Sequence, residues 1–294
     1  MPRTALHATL LTASFALTWG ASALAQAAQP LQLKVYNADA GSFNVTSTLV
    51  TGAKEAVVID AGFTRADALR IAANVLDSGK RLTTIYVSQA DPDYYFGAET
   101  LLQFFPDARV VTTPAVLEKI QAKLPAKLAF WGPKMGANAP QSPVLPQALP
   151  STTLTVDGQP IEIRGTSGLL AHRPYAWIPS LHAIVGNVGV FGAMHVWMAD
   201  TQTAAEKSAW QAQLAEMTAL QPRVVVPGHM KAGSPMDASA IGHTADYLRA
   251  FDAQAAAASD GADLIARMNK AYPGAPGALS LDIGAKVAKG EMKW

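Results

Sequence analysis

The order of apolar and polar positions predicts an alternation of strands and helices in the first half of the chain. "LQLKVYNA" and "VTSTLVTG" read as strands, and "EAVVIDAG" is an apolar run closed by Asp60 and Gly62. Thr64 then caps a helical pattern, "TRADALRIAANVLDSG", with apolar residues on one face and Gly79 as its stop. "LTTIYVS" is the next strand and delivers the loop "QADPDYYFG". "AETLLQFF" reads as a helix and "ARVVTTP" as a strand, which makes an α/β half with buried strands. Residues 115–129 read as helical with a break at Pro125, and "ANAPQSPVLPQALPS" reads as an ordered, irregular crossing.

Beyond that crossing the pattern changes. "TLTVDGQPIEIRG" predicts a hairpin turning at Asp157-Gly158. "RPYAWIPSLHAIVGNV" predicts a second hairpin, turning around Ser180-Leu181. A long helix, "TAAEKSAWQAQLAEMTAL", leads into "RVVVPGH". The stretch from Asp237 to Trp294 is rich in alanine and mostly helical, broken by "YPGAPG". Both halves run from strands through a helix to a strand ending at a candidate site residue. Two mixed sheets packed face to face, with helices outside, fit that order.

The first residues change the domain picture. "MPRTALHATLLTASFALTWGASALAQ" has Arg3, an apolar run, and Ala23-Leu24-Ala25 before Gln26. That is the pattern of a signal peptide over residues 1–25, with export to the periplasm or beyond as the expected destination. The apolar run is short and broken by Thr, Ser and Gly, so no stable membrane anchor is expected. The expected domain covers residues 26–235, with a helical extension over 236–294 packed on it. Half of the 294 residues are hydrophobic, enough for a sizeable core. The 23 basic and 22 acidic residues leave a formal charge of +1 with no basic stripe, which excludes nucleic acid as an expected partner. There is no cysteine, so disulfides, thiolate ligands and lipid attachment at cysteine are excluded.

Candidate chemistry gathers where loops leave the carboxyl ends of strands. Asp60, Gln89, Asp91, Asp93 and Tyr94 stand there in the first half, and Asn187 and His229 in the second. Each has a plainer reading. Asp91-Pro92-Asp93 also suits a turn that caps a helix, and Tyr94 and Tyr95 suit packing. Asn187 suits a backbone hydrogen bond. His172 suits a surface role, and His195 suits either the mouth of a site or packing with Met194, Trp197 and Met198. Pro227-Gly228-His229 at a strand end is the most pointed of the set.

Over about residues 30–235 the chain resembles the metallo-β-lactamase-fold hydrolase superfamily. The resemblance rests on "VVIDAG", "IYVSQADPDYYFG", "WIPSLHAIVGN" and the run from Trp210 to "VVPGH" at His229. The family pattern His-x-His-x-Asp-His-x-x-Gly, anchored on Gly97, falls on Gln89, Asp91, Asp93 and Tyr94, so three histidines are replaced and the aspartate stays. The family's next histidine falls near Leu169 or Leu170, with His172 two or three residues on. Its Gly-Asp carboxylate is Gly186-Asn187 here, and its Pro-Gly-His is kept at His229.

The resemblance implies an αββα sandwich and a water-using hydrolase of small esters, lactones or amides. It does not carry over an intact dinuclear zinc site. With oxygen in place of imidazole, the expectation is one weakly held divalent ion (Mn, Mg, Ca, Fe or a single Zn) at Asp91, Asp93 and His229. Gln89, Tyr94, His172, Asn187 and His195 are accessory candidates, and Asp93 is the candidate to orient or deprotonate water. The alternative is a silent relative that binds a ligand or partner in the old cleft. The aromatic stretch around Phe130 and Trp131 is expected to be a flexible lid over an apolar substrate.

Overall fold

The computed structural model describes residues 1–2 and 29–294. From residue 3 onward, the predicted signal segment lies outside the described residues. The strands are β1 (Gln32–Asn37), β2 (Thr46–Thr51), β3 (Glu55–Ile59), β4 (Arg81–Tyr86), β5 (Arg109–Thr112), β6 (Gln147–Ala148), β7 (Thr153–Val156), β8 (Gln159–Arg164), β9 (Tyr175–Ile178), β10 (Ala183–Val185), β11 (Phe191–Gly192), β12 (Val224–Val225) and β13 (His229–Met230). The helices are α1 (Arg65–Ser78), α2 (Pro92–Tyr95), α3 (Ala98–Phe104), α4 (Pro114–Met135), α5 (Ala204–Ala219), α6 (Ser239–Ala257), α7 (Gly261–Ala271) and α8 (Ala278–Ala288).

The strands form one sheet in the order β1-β2-β3-β4-β5-β6 and a second in the order β12-β10-β9-β8-β7. In the first, β1 to β3 are antiparallel and β3 to β6 parallel. Side chains alternate across a strand, and β3 shows the result. Val57 and Ile59 pack with Val156, Ile161 and Val185 of the second sheet, between the two sheets. Ala56 and Val58 point the other way, into a core with Ile71 and Val75 of α1 and Leu101 of α3. The outer face of the second sheet packs Trp177 and Ile184 against Trp210 of α5, Tyr247 of α6, Leu264 of α7 and Leu281 of α8. The expected αββα sandwich is the architecture found, and the helices after residue 236 share the core of α5.

The local punctuation predicted for the chain is present. Thr64 and Asp67 form a reciprocal capping box at the start of α1, and Gly79 ends it in the left-handed region. The β7–β8 hairpin turns on Asp157 and Gly158, both at positive φ (46° and 76°). The expected break at Pro125 is absent. The helix α4 runs for 22 residues through Pro125 and Pro133. The expected flexible lid is therefore the C-terminal part of this helix. Trp131 seats it, with its ring centroid 5.4 Å from both Phe43 and Phe63. Aromatic packing of that size offsets the hydrogen bonds that prolines remove. Among the described residues no helix is long and apolar enough to cross a membrane.

Candidate functional site

His229 is placed by backbone pairing from two directions. Its strand β13 pairs in parallel with β11, Phe191 opposite His229, and Val45 bridges to His229 from the other side. This close approach needs Gly228. A Cβ there would stand 1.9 Å from the carbonyl oxygen of Asn187 and 2.8 Å from the Tyr94 hydroxyl. The imidazole is buried between rings, stacked on Phe191 with centroids 5.3 Å apart and edge-on to Tyr94 at 5.6 Å. Nδ1 lies 2.9 Å from the carbonyl oxygen of Phe43. A carbonyl only accepts, so Nδ1 carries the ring proton and Nε2 is a free lone pair.

Asp93 reaches the same point from the first half. Asp60, held in the left-handed region at φ 67°, accepts 2.8 Å hydrogen bonds from the Ser88 N–H and hydroxyl. That staples the end of β3 to the loop after β4. Both Asp60 oxygens are used, so it is a brace and not a free ligand. Burial pushes the Asp60 carboxyl up to about 7, against the lowering effect of the Ser88 bonds. From this brace the chain enters α2, and the Asp93 carboxylate lies 3.4 Å from His229 Nε2 (Oδ2 to Nε2). Burial first, then the neighbouring charge of Asp91, holds the Asp93 carboxyl well above the usual carboxylate range. Burial pushes His229 down to about 4, with the Phe43 carbonyl opposing it. Burial thus favours the neutral form of both groups, and the imidazole nitrogen facing the carboxyl carries no proton at pH 7.

Asp91 goes elsewhere. It begins α2 with extended backbone and no side-chain cap bond, and its Oδ1 accepts from Lys127 Nζ of α4 at 3.2 Å. The accessory candidates divide in the same way. Gln89 Oε1 accepts from its neighbour Ala90 N–H at 2.7 Å. Tyr94 packs on the His229 ring, and its hydroxyl has no partner among the described residues. Asn187 donates to the Val226 carbonyl at 3.1 Å and leaves its buried Oδ1 unpartnered. His172 is half-buried; burial, then Arg173, Lys119 and Lys123, push it down to about 4. His195 is outside the site: its Nδ1 meets the Tyr247 hydroxyl of α6 at 3.0 Å.

Catalytic zinc takes three protein ligands. Asp93 and His229 supply two donors, while Asp91, the third expected ligand, is engaged by an ammonium. Among the described residues, no group of three His, Cys, Asp or Glu side chains is placed to hold a metal ion. The residues present therefore fit neither a dinuclear centre nor the single ion expected at Asp91, Asp93 and His229. Lys127, which reading along the chain did not weigh, holds Asp91 instead.

Three further residues shape the site without having been expected there. Arg173 is buried, with its guanidinium 4.0 Å above the Trp210 ring and its Nη1 donating to Thr201 Oγ1 at 2.6 Å. Asp200 takes hydrogen bonds from the Trp197 and Trp294 indoles at 2.6 and 2.9 Å, and Lys123 Nζ lies 3.7 Å from it. One signal was legible. Lys119, Lys123 and Lys127 recur every fourth residue, the spacing of one helix face. Two cavities lie elsewhere. One of about 960 Å³ sits between α5, α6 and α8, and one of about 550 Å³ lies beside residues 164–170; neither is lined by Asp93 or His229.

No protein-family model matches this chain, and no curated protein does. Solved structures do. A metallo-beta-lactamase family protein from Thermus thermophilus superposes with TM-score 0.60 at 17% identity, over 89% of this chain and 93% of that one. A metallo-beta-lactamase from Pontibacter korlensis gives TM-score 0.50 at 17% identity, over 75% and 95%. The DIM-1 metallo-beta-lactamase gives 0.50 at 14% identity, over 76% and 96%. At these identities the shared property is the fold.

Proposed function

We propose that this chain, which has the metallo-β-lactamase fold, hydrolyses a small ester-, lactone- or amide-type substrate with Asp93 and His229 as its acid and base. The observation that carries the reading is the pair itself. A buried carboxyl raised from its ordinary value and an imidazole nitrogen without a proton face each other 3.4 Å apart at the meeting point of two strand tips. Two groups whose surroundings drive their proton affinities apart are an acid and base already sorted. In this reading Asp93 serves as the acid, the form that burial favours, and not as the base first expected.

In this reading His229 Nε2 takes a proton from water as the water oxygen bonds to the substrate carbonyl carbon. The Asp93 proton passes to the leaving oxygen or nitrogen as its bond to that carbon breaks. The imidazolium then returns its proton to the Asp93 carboxylate, which restores the starting pair. General acid–base catalysis of this kind contributes about 10²–10⁴-fold. No step uses the divalent ion expected from the sequence.

A panel of p-nitrophenyl esters, lactones and nitrocefin tests the proposal. Asp93→Ala and His229→Ala are each expected to remove the activity found. Turnover that survives both places the chemistry elsewhere.

One observation favours a second reading, a silent ligand-binding relative: neither of the two cavities described above is lined by the pair. That reading expects no turnover on any substrate, together with a ligand-induced rise in Tm. The Ala23-Leu24-Ala25 pattern supports export to the periplasm or beyond. Sequencing the N-terminus of the mature chain tests this, with Gln26 expected first.

A further inference from the structure

We infer that Lys127 supplies the positive charge of this cleft in place of a metal ion, making it a metal-independent centre that accepts an anionic group of a ligand. The inference shares the cleft of the proposed hydrolase and refines its substrate class, but its main readout is metal binding, not turnover.

Position is the first argument. Lys127 Nζ lies 3.2 Å from Asp91, the residue that the resemblance makes a metal ligand, and its side chain is only 20% exposed. The ammonium is also held from a second side, with Nζ 5.7 Å from the Trp294 ring centroid.

The second argument is electrostatic. A divalent cation bound to Asp91 would stand within about 5 Å of Nζ, given ligand bonds of about 2 Å. At that distance a double and a single positive charge repel. A metal ion at Asp91 must therefore compete with Lys127 for that carboxylate.

The third argument is the surrounding charge. Arg173 is buried, yet among the described residues it has no carboxylate within salt-bridge distance; its contacts are the Thr201 hydroxyl, the Val188 carbonyl at 3.5 Å and the Trp210 face. Lys123 stands one helical turn from Lys127 on the same face of α4, 3.7 Å from Asp200. The Asp200 and Asp91 carboxylates act on Arg173 only from beyond contact distance, and a buried guanidinium without a direct counter-ion is costly. An incoming carboxylate, sulfate or phosphate supplies one, and the bidentate fork of arginine suits such groups. The same field disfavours a metal cation.

The test uses the mature chain and two variants, Lys127→Met and Lys127→Arg. After dialysis against Zn²⁺ or Mn²⁺ and gel filtration, the parent is expected to retain no stoichiometric metal. Neither ion, nor a chelator, should move its Tm. Lys127→Met frees Asp91 and should bind Mn²⁺ at least about tenfold more tightly than the parent, with a metal-dependent rise in Tm. Lys127→Arg keeps the charge and should stay insensitive to metal.

Inorganic sulfate and phosphate should raise the Tm of the parent and of Lys127→Arg, and should do so less for Lys127→Met. A full equivalent of metal on the parent overturns the inference. So does a Lys127→Met variant no more responsive to metal than the parent, or an anion effect unchanged by that substitution. A parent inactive on every substrate, with these metal results intact, would count against the hydrolase alone.

Discussion

Two aspartates of the first half, Asp67 and Asp93, occupy similar places and live opposite lives. Each lies in the first turn of a helix that follows a strand, and each is buried, at 4% and 6% exposure. Asp67 is surrounded by donors. The Tyr36 hydroxyl, the Ser42 hydroxyl, and the Thr64 N–H and hydroxyl all reach it, at 2.6 to 3.0 Å. Burial acts to raise its carboxyl, but the Ser42, Thr64 and Tyr36 bonds together hold it below its ordinary value. Asp93 has an imidazole lone pair at 3.4 Å, and burial wins. Low exposure therefore goes with a lowered carboxyl in one place and a raised one in the other. What differs is the number of donors and, at Asp93, deeper desolvation and the neighbouring charge of Asp91.

The sharpest way to break this comparison is to remove each carboxyl in turn. Asp67→Ala strips four donors of their acceptor and should cost about 3–5 kcal/mol in urea unfolding, at roughly 1–3 kcal/mol per stranded buried donor after relaxation. Asp93→Asn should change stability by less than about 1 kcal/mol, because it strips no hydrogen-bond donor of its acceptor. Equal losses at both positions would refute the distinction.

The pH dependence of stability separates raised from lowered carboxyls. Asp60, pushed up to about 7, holds a proton in the folded chain where the unfolded chain has released it. Its contribution is fully present below the unfolded value near 4 and is lost as pH rises through about 7. Asp67 has the opposite sign. Its folded value is lowered, so its contribution is present above the unfolded value near 4 and is lost as pH falls through the folded value. Asp60→Asn should therefore flatten a decline approaching 1.4 kcal/mol per pH unit between about pH 5 and 7. Asp67→Asn should flatten the acid limb instead. A pH profile for Asp60→Asn that overlays the parent between pH 5 and 7 would remove Asp60 from the account.

The smallest expected effects come from two tyrosines. Tyr36 donates to Asp67 at 2.6 Å, whereas the Tyr94 hydroxyl is buried with no partner among the described residues. Tyr36→Phe should cost about 1–2 kcal/mol, as a hydrogen bond to a charged group is lost. Tyr94→Phe should be neutral or stabilising by up to about 1 kcal/mol, since it deletes an unpaired buried hydroxyl. Thermal melts of the two variants make the comparison directly.

Much of the fold was legible along the chain because it rests on neighbours. Thr64 with Asp67, Asp157 with Gly158, and the alternation of Val57 and Ile59 against Ala56 and Val58 all act within a few residues. Pro125 misled because its local penalty is met by Trp131 packing on Phe43 and Phe63, residues far away in sequence. The site was legible only as a set of strand-tip positions. That Asp93 and His229 meet follows from Val45 and Phe191 flanking β13. That Asp91 does not join them follows from a lysine 36 residues on.

By itself, then, the amino-acid order determined the strand and helix alternation, the turns and the candidate donors at strand ends. These depend on backbone preference and on the period of the apolar residues, which neighbouring positions encode. Only the tertiary structure decided which charges are paired, which carboxyls are raised or lowered and which cation faces Asp91. Coulomb interaction and loss of water depend on distance through space, and segments remote in sequence set that distance.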